Sequence, residues 1–344
     1  MGRRTRHQLF VFLTILILSL VPSSAAYSSD NQPPQIELQD VSNSHTVYTD
    51  KIYIAGQVTD AHEIETLKLN NTALLKKPNR SIVFSHLAKL NEGKNIFTIE
   101  AADSAGNSVK KEITVIREKL HLSQLPKAVI DQRMRIAVYP FEQKGVVSSE
   151  SGLFMDLLTL AMQRQNRFQL TDRALMDKIL EEQKLSRTQL IDQDTAVKMG
   201  RILSAQAIIT GSITVTGGGM EAVGRMIDTE TSEIMAIEKI YSGDKGLVAL
   251  NFLAESMAIQ FHNDFPMLRG VVIKRKDRHI FTDLGRNTIP LRGRLIIYRE
   301  NDPKTHNSIL GYARIMQVLP DMSKAEVISG RIDEIRELDR VVLQ

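Results

Sequence analysis

The chain has 344 residues and no cysteine, which excludes disulfides, thiol nucleophiles and cysteine metal sites. It also excludes the lipid anchor of a bacterial lipoprotein, because that anchor is attached to a cysteine directly after the cleavage site. The net charge is +4, but residues 1–26 hold three arginines and no acid, so the rest has 41 basic against 40 acidic residues. This near-neutral balance offers no electrostatic argument for a nucleic-acid partner, and we expect none.

The N-terminus has the pattern of a secretory signal peptide. Three arginines lie among the first six residues, Leu9–Val21 is uncharged and apolar, and small residues allow cleavage after Ala25 or Ala26. The apolar run is shorter than the roughly 20 residues that a membrane-spanning helix needs. We therefore expect a cleaved signal peptide at 1–26, a periplasmic location, and no transmembrane segment in the mature chain.

Residues 33–118 are predicted to form an all-β domain. Short apolar runs such as Ile52–Ala55, Leu67–Leu69 and Ile96–Ile99 recur, and turn residues such as those at 91–93 separate them. Regular short strands with such turns are typical of a β-sandwich.

The pattern changes after a predicted linker at 119–133, which has Pro126 at its centre. Residues 134–266 mix strands and helices and predict an α/β layer domain, one sheet flanked by helices. The predicted elements are a strand at 135–141, a helix at 150–165, a strand at 168–170, helices after Asp172 and after Asp192 or Asp194, strands near 207–216, 222–227 and 234–240, and a helix from about 245.

The last segment, 267–344, is predicted to be β again. Apolar or alternating runs recur, four glycines punctuate them, and Val341–Leu343 is in a position to close the sheet. This pattern indicates a small barrel-like domain. The predicted fold class is therefore multidomain: an all-β sandwich, an α/β layer, and a small all-β barrel.

The middle segment resembles the curli-assembly CsgG-like family, over about 133–266. Five blocks in the family's order carry the resemblance: Arg135–Phe141, Asp172–Leu185, Thr195–Gly200, Ala205–Ser212 and Arg225–Ile234. The resemblance implies a periplasmic interaction domain, because the family includes a secretion channel, flagellar outer-membrane-associated proteins and activators of peptidoglycan synthases.

The flanking segments show looser resemblances. The spacing Gly56-x-Val58-x-Asp60, with turn residues at 103–107, resembles bacterial immunoglobulin-like domains. Asp283-x-Gly285 followed by residues 293–298 is similar to the C-terminal domain of flagellar assembly protein T.

The chain departs from the channel branch of the family, which is lipidated and crosses the outer membrane with two inserted β-hairpins. The corresponding slots here are Thr214–Ala222 and Ser242–Gly246. Both are too short, because each transmembrane strand needs roughly 9–11 residues and a hairpin needs two strands. We therefore expect no pore.

The sequence offers no catalytic constellation, and we expect no catalytic, cofactor-binding or metal-binding residues. The eight histidines are scattered, no nucleophile elbow or phosphate loop occurs, and residues 217–219 fit a hairpin turn. Asp172 is better explained as a helix cap and Asp228 as a turn residue than as an acid–base pair. Asp60, Asp103 and Asn107 have calcium-ligand chemistry, but turns also favour these residue types.

A basic cluster at 269–278 contains Arg269, Lys274, Arg275, Lys276 and Arg278. It is suited to anionic lipid or an acidic partner, but we expect a solvated strand edge protected by charge.

The leading hypothesis is a non-catalytic periplasmic accessory protein that helps assemble or secrete a cell-envelope structure through protein–protein contact. Its expected partners are envelope proteins associated with the outer membrane or peptidoglycan, and the resemblance also allows a homo-oligomer. The alternative hypotheses are a regulator of a peptidoglycan synthase and a hydrolase with an unrecognised site.

Overall fold

A computed structural model describes residues 31–39, 44–118, 133–144, 149–172, 174, 178, 181–182, 193–285, 289, 291–299 and 308–343. The predicted signal peptide and almost all of the predicted linker lie outside these residues. Within them the chain is mostly β, with several sheets that include a closed six-stranded barrel. No helix in this part of the chain is long and apolar enough to cross a membrane.

The first sheet contains seven strands in the described residues. They are β1 (Gln35–Gln39), β2 (Ser44–Val47), β3 (Lys51–Leu69), β4 (Thr72–Ala73), β5 (Asn79–Lys89), β6 (Gly93–Asp103) and β7 (Ser108–Arg117). Its core is formed by buried side chains from both halves of the sheet, among them Ile54, Phe84, Ile99 and Ile113. These four side chains belong to β3, β5, β6 and β7 and form one hydrophobic core.

Strand β3 corrects one prediction, because the separate runs at 52–55 and 67–69 are parts of a single 19-residue strand. Its first half pairs with β1 and β5, and its second half pairs with β6. A register shift between Thr59 and Ile64 lets the strand change partners. The polar residues in between interrupt the apolar pattern without ending the strand.

The second sheet has the strand order β12-β11-β10-β8-β9. The strands are β8 (Arg135–Lys144), β9 (Gln169–Leu170), β10 (Ala207–Thr216), β11 (Gly219–Asp228) and β12 (Ile234–Ser242), and the described helices are α1 (Ser149–Gln165), α2 (Gln193–Ile202) and α3 (Gly246–Asp264). Strand β8 is parallel to β9 and β10, whereas β10, β11 and β12 are antiparallel neighbours. Helix α3 spans the range predicted from its apolar face.

Two glycines of the sequence blocks lie where helices and strands approach closely. A Cβ atom on Gly200 of α2 would meet the side chains of Thr229 and Ile208 at 2.6 and 2.8 Å. A Cβ atom on Gly211 would meet the backbone oxygen of Val223 at 1.9 Å, which requires the backbone to move. The close packing at both positions leaves no room for a side chain, which explains why glycine occupies them.

Helices cover both faces of this second sheet. Gly224 of β11 lies against Met257 and Phe261 of α3, and it pairs with Gly211. Ile208 lies against α2, and it is three residues from Gly211 on the same strand. Because successive side chains alternate between faces, α2 and α3 lie on opposite sides.

The third sheet is a closed barrel with the order β13-β14-β17-β16-β15-β18. Its strands are β13 (Arg269–Lys276), β14 (His279–Thr282), β15 (Arg294–Arg299), β16 (Ser308–Val318), β17 (Ser323–Gly330) and β18 (Arg340–Leu343). Strand β18 pairs with both β13 and β15, so the C-terminal apolar run closes the barrel. The barrel has a buried core of its own, which includes Val272, Ile297 and Val341.

Side chains of the first sheet cover the outer edge of β12. The Tyr241 amide donates to the Tyr53 hydroxyl oxygen at 2.9 Å, and the Ser85 hydroxyl donates to the Tyr241 carbonyl at 2.7 Å. The Gln39 side-chain amide donates to the Lys239 carbonyl at 3.0 Å. An uncovered edge strand would offer these groups to another chain, so the first sheet protects the second.

Candidate functional site

The two carboxylates singled out in the sequence hold backbone turns. Asp172 accepts the backbone N–H of Ala174 at 2.8 Å, as a helix cap does. Asp228 is almost fully buried and accepts the N–H groups of Glu230 and Thr231 at 2.7 and 3.0 Å. Both side chains therefore have the structural roles expected for them.

The turn that begins at Asp228 also contacts the barrel through ion pairs. Glu230 pairs with Arg294 at 3.0 Å and with Arg314 at 3.4 Å, and Arg314 lies 3.6 Å from Asp228. A third arginine of the barrel, Arg292, pairs with Glu233 on the same turn at 2.8 Å. These charges hold the barrel against the β11–β12 turn.

A potential metal cluster lies in the first sheet. Ligand atoms of Asp60, His62 and Asp103 lie within 4.8 Å of one another. From the sequence, Asn107 was grouped with the two aspartates, and His62 was not. The spacing Asp60-x-His62 was a usable signal, because residues two apart lie on the same face of a strand.

The oxygens of Asp103 are already engaged in a turn. They accept the backbone and side-chain N–H groups of Asn107 at 2.8 and 2.9 Å. Burial alone would raise the pKa of Asp103, but the hydrogen bonds from Asn107 and from the backbone at 105–107 lower it. This arrangement favours the turn over a metal site.

The basic cluster at 269–278 begins on a strand of the closed barrel that pairs with β18 only at 269–271, so its first residues do not lie on the edge that was expected. Strand β13 is hydrogen-bonded to β14 and β18 within the closed barrel. Arg275 lies 3.7 Å from Asp333, and Arg278 donates to the Val327 carbonyl at 3.3 Å. Strand β18 covers the edge at 269–271, and that long-range pairing was not visible in the local pattern.

A cavity of about 440 Å³ lies between the first sheet and the second sheet's helices. Its lining residues are Tyr48, Thr49, Asp50, Lys51, Arg117, Arg164, Gln165, Asn166, Arg167, Glu255, His262 and Met267. They come from the start of β3, the end of β7, the end of α1, and α3 with the residues after it. This is the described cavity in which charged side chains from several elements converge most clearly.

The deepest charged group in this cavity is the guanidinium of Arg167, whose side chain is 2% exposed. Its Nε–H donates to the Phe265 carbonyl at the end of α3, and its Cζ lies 4.9 Å from the centre of the Phe168 ring. Burial and the charge of Arg133 lower the pKa of Arg167 to about 9. The group therefore keeps its positive charge at neutral pH.

Buried His262 lies beside this guanidinium and is kept neutral. Its Nδ1 lies 3.1 Å from the Gln165 side-chain oxygen. Burial, and then the charge of Arg167, lower the pKa of His262 to about 3. The sequence gave no sign of Arg167, because an isolated arginine between a helix and a strand carries no motif.

The family comparison matches the middle of the chain. Residues 117–232 match the model of the family described as "Curli production assembly/transport component CsgG". The middle of this chain is therefore similar to that family. The match begins upstream of the predicted domain and ends before β12 and α3, so it covers six of the eight helices and strands described for that region. No curated protein matches the chain.

Solved structures show partial likeness at low identity. The LpoB C-terminal domain from Salmonella enterica is similar over 37% of this chain and 100% of that one, with 14% identity and a TM-score of 0.29. Lipoprotein GNA1162 from Neisseria meningitidis covers 38% and 97%, with 13% identity and a TM-score of 0.31. The PelC dodecamer from Paraburkholderia phytofirmans covers 38% and 86%, with 10% identity and a TM-score of 0.26. At these values the likeness does not extend to function.

Proposed function

We propose that this protein is a non-catalytic periplasmic accessory protein that takes part in assembling or secreting a cell-envelope structure through protein–protein contact. The match of residues 117–232 to the curli assembly and transport family carries the proposal. The secretory pattern of residues 1–26 supports the location. The domain boundaries at 33–118, 134–266 and 267–344, and the immunoglobulin-like and flagellar resemblances of the outer domains, are part of the same proposal.

The roles of the conspicuous carboxylates support a non-catalytic protein. Asp172, Asp228 and Asp103 all accept backbone N–H groups in turns or caps. A general acid or base needs a side chain that is available to a substrate, and these three side chains hold the backbone instead.

The test combines gene deletion with crosslinking in the periplasm. A photoreactive amino acid at Val248, which is 68% exposed at the start of α3, reports contacts of the layer domain. A matched probe at Leu338, which is 77% exposed after the barrel's last 3₁₀ turn, reports contacts of the barrel. We expect position-dependent crosslinks to envelope proteins, and loss of one envelope structure when the gene is deleted.

The proposal fails if no envelope protein is crosslinked at either position and light scattering finds only monomer. The peptidoglycan-synthase alternative has its own readout. It predicts that the mature protein binds a host synthase and accelerates glycan polymerisation in vitro. An unchanged polymerisation rate with every host synthase removes that alternative.

A further inference from the structure

The turn before the last strand of the barrel presents a leucine to solvent in a strained backbone conformation. Leu338 is 77% exposed, and its φ angle is 68°, in the left-handed region that a residue with a Cβ atom enters only at a cost. Glycine, asparagine and aspartate are the residues that usually adopt this conformation. Neither burial within the protein nor the backbone therefore explains why leucine occupies this position.

Buried Asp339 fixes this turn. Its carboxylate accepts the backbone N–H of Arg336 at 2.7 Å and two N–H groups of the Arg299 guanidinium at 2.7 and 2.8 Å. The Leu338 N–H donates to the Val272 carbonyl at 2.8 Å, which ties the turn to β13. A braced turn therefore holds the leucine side chain in its exposed position.

A second exposed apolar side chain lies close to this leucine. Ile273 directly follows Val272, the residue that accepts the hydrogen bond from Leu338, and it is 41% exposed. Val272 itself belongs to the buried core of the barrel, so the neighbouring isoleucine faces outward. Leu338 and Ile273 together form an apolar tip on the outer surface of the barrel.

The apolar tip lies among basic residues. The two segments that form this part of the barrel, 269–278 and 331–340, contain eight basic and five acidic residues. Three of the acids are paired within the barrel: Asp339 with Arg299, Asp333 with Arg275, and Glu334 with Arg331. Lys274 and Lys276 are exposed and form no ion pair within the part of the chain that the structure describes. The surface therefore has a net positive charge around an apolar centre.

This combination matches the surface of an anionic lipid bilayer, where apolar side chains enter the acyl boundary and cations meet the headgroups. A stable protein interface buries about 800 Å² on each partner, for which two apolar side chains are a small centre, whereas shallow insertion beside cations needs only a few. We propose that the apolar tip and its lysines dock the barrel on a bilayer that contains anionic phospholipid. The proposed envelope role does not require this docking, and either proposal can fail without the other.

The test measures co-sedimentation of the purified mature protein with lipid vesicles. The anionic vesicles contain phosphatidylglycerol and phosphatidylethanolamine in a ratio of about one to three, and phosphatidylcholine vesicles are the neutral comparison. We expect saturable binding to the anionic vesicles and little binding to the neutral ones. Binding should weaken as salt is raised, because salt screens the attraction between the lysines and the headgroups.

A variant at the apolar tip separates insertion from charge attraction. Leu338→Asn removes the apolar side chain, and asparagine suits the left-handed backbone, so the fold should be kept. We expect the affinity for anionic vesicles to fall about tenfold or more, because burial of the leucine is lost. Val248→Asn is the matched control, since Val248 is 68% exposed near the start of α3, about 24 Å along the helix from the end that leads into the barrel. Its affinity should be unchanged.

A second pair of variants tests the charges. Lys274→Glu combined with Lys276→Glu should lower the affinity about 25-fold or more at low salt, because each cation near an anionic surface contributes to binding. Lys89→Glu combined with Lys94→Glu is the matched control, since these exposed lysines of the first sheet give the same change in net charge. This control should bind like the wild-type protein.

Three results would overturn the proposal. The first is the absence of binding to anionic vesicles; retention on immobilised polyglutamate in that case would assign the surface to an acidic protein. The second is equal vesicle binding by Leu338→Asn and the wild-type protein, which would mean that the leucine does not insert. The third is an equal loss of binding in the two double-lysine variants, which would mean that net charge alone is responsible. If the barrel double variant fails to fold, Leu338→Asn and its control decide the question.

Discussion

The contact between the first sheet and the edge of β12 leads to a sharp prediction for Tyr53→Phe. The phenyl ring remains, so its packing against Phe252, at a centroid distance of 6.1 Å, is kept. The hydroxyl oxygen that accepts the Tyr241 N–H is lost. The longer bond from this hydroxyl to the Tyr241 carbonyl, at 3.4 Å, is lost as well, so the effect isolates the contacts of one hydroxyl with Tyr241.

The size of the expected loss of stability follows from the burial of Tyr53. Tyr53 is 5% exposed, so water cannot readily take the place of its hydroxyl. An unsatisfied buried donor costs about 1–3 kcal/mol, and we expect the free energy of unfolding to fall by that amount. Ser85→Ala removes a donor to the carbonyl of the same residue, Tyr241, and should cost about 0.5–1.5 kcal/mol, because that carbonyl can also receive the Tyr53 hydroxyl at 3.4 Å.

Urea unfolding and hydrogen exchange provide the assay. We expect a lower unfolding midpoint and faster exchange of the Tyr241 amide in Tyr53→Phe, with neighbouring β12 amides affected less. Ser81→Ala is the matched control, because its hydroxyl accepts only an exposed bond from Gln57 within the first sheet. Equal midpoints and equal Tyr241 exchange in Tyr53→Phe and Ser81→Ala would refute the idea that this sheet protects the edge.

Three further predictions concern packing, pH and the barrel contact. Gly211→Ala should destabilise the protein by more than about 3 kcal/mol in urea unfolding, since its Cβ would lie 1.9 Å from the Val223 oxygen; a loss below 1 kcal/mol would contradict that packing. Because the pKa of His262 is lowered to about 3, the folded state resists its protonation, so stability should be full above about pH 6.5 and fall towards pH 3, by up to about 1.4 kcal/mol per pH unit. His262→Gln should flatten that slope between pH 4.5 and 6.5, and an unchanged slope there would mean that other groups cause it. Glu230→Gln should cost less than about 1 kcal/mol, and the difference from wild type should shrink in high salt, because Glu230 is exposed.

The local pattern predicted much of the fold. Apolar spacing placed α1 within one residue of its start and α3 within about one, because a helix face repeats over several turns. The turn roles of Asp172 and Asp228 were also predicted, because capping depends on neighbours in sequence. The continuous β3 was missed, since Asp60, His62 and Glu63 interrupt the apolar pattern and look like a turn until both partners of the strand are known.

The local sequence pattern did not predict the cavity at Arg167. Its lining residues come from positions near 50, 117, 165 and 260, and no local spacing relates them. His62 is two residues from Asp60, but both lie near Asp103 only when β3 and β6 pair.

The amino-acid sequence by itself determined the secretory pattern, the β, α/β, β order of the segments, and the CsgG-like blocks with their packing glycines. These properties depend on composition and on contacts between residues a few positions apart. Only the tertiary structure decided that β18 closes the barrel, that Tyr53 and Ser85 cover the edge of β12, and that the Arg167 guanidinium is buried with two N–H-bearing nitrogens unpaired in the described structure. Each of these depends on residues far apart in the chain, and long-range packing, rather than local propensity, brings them together.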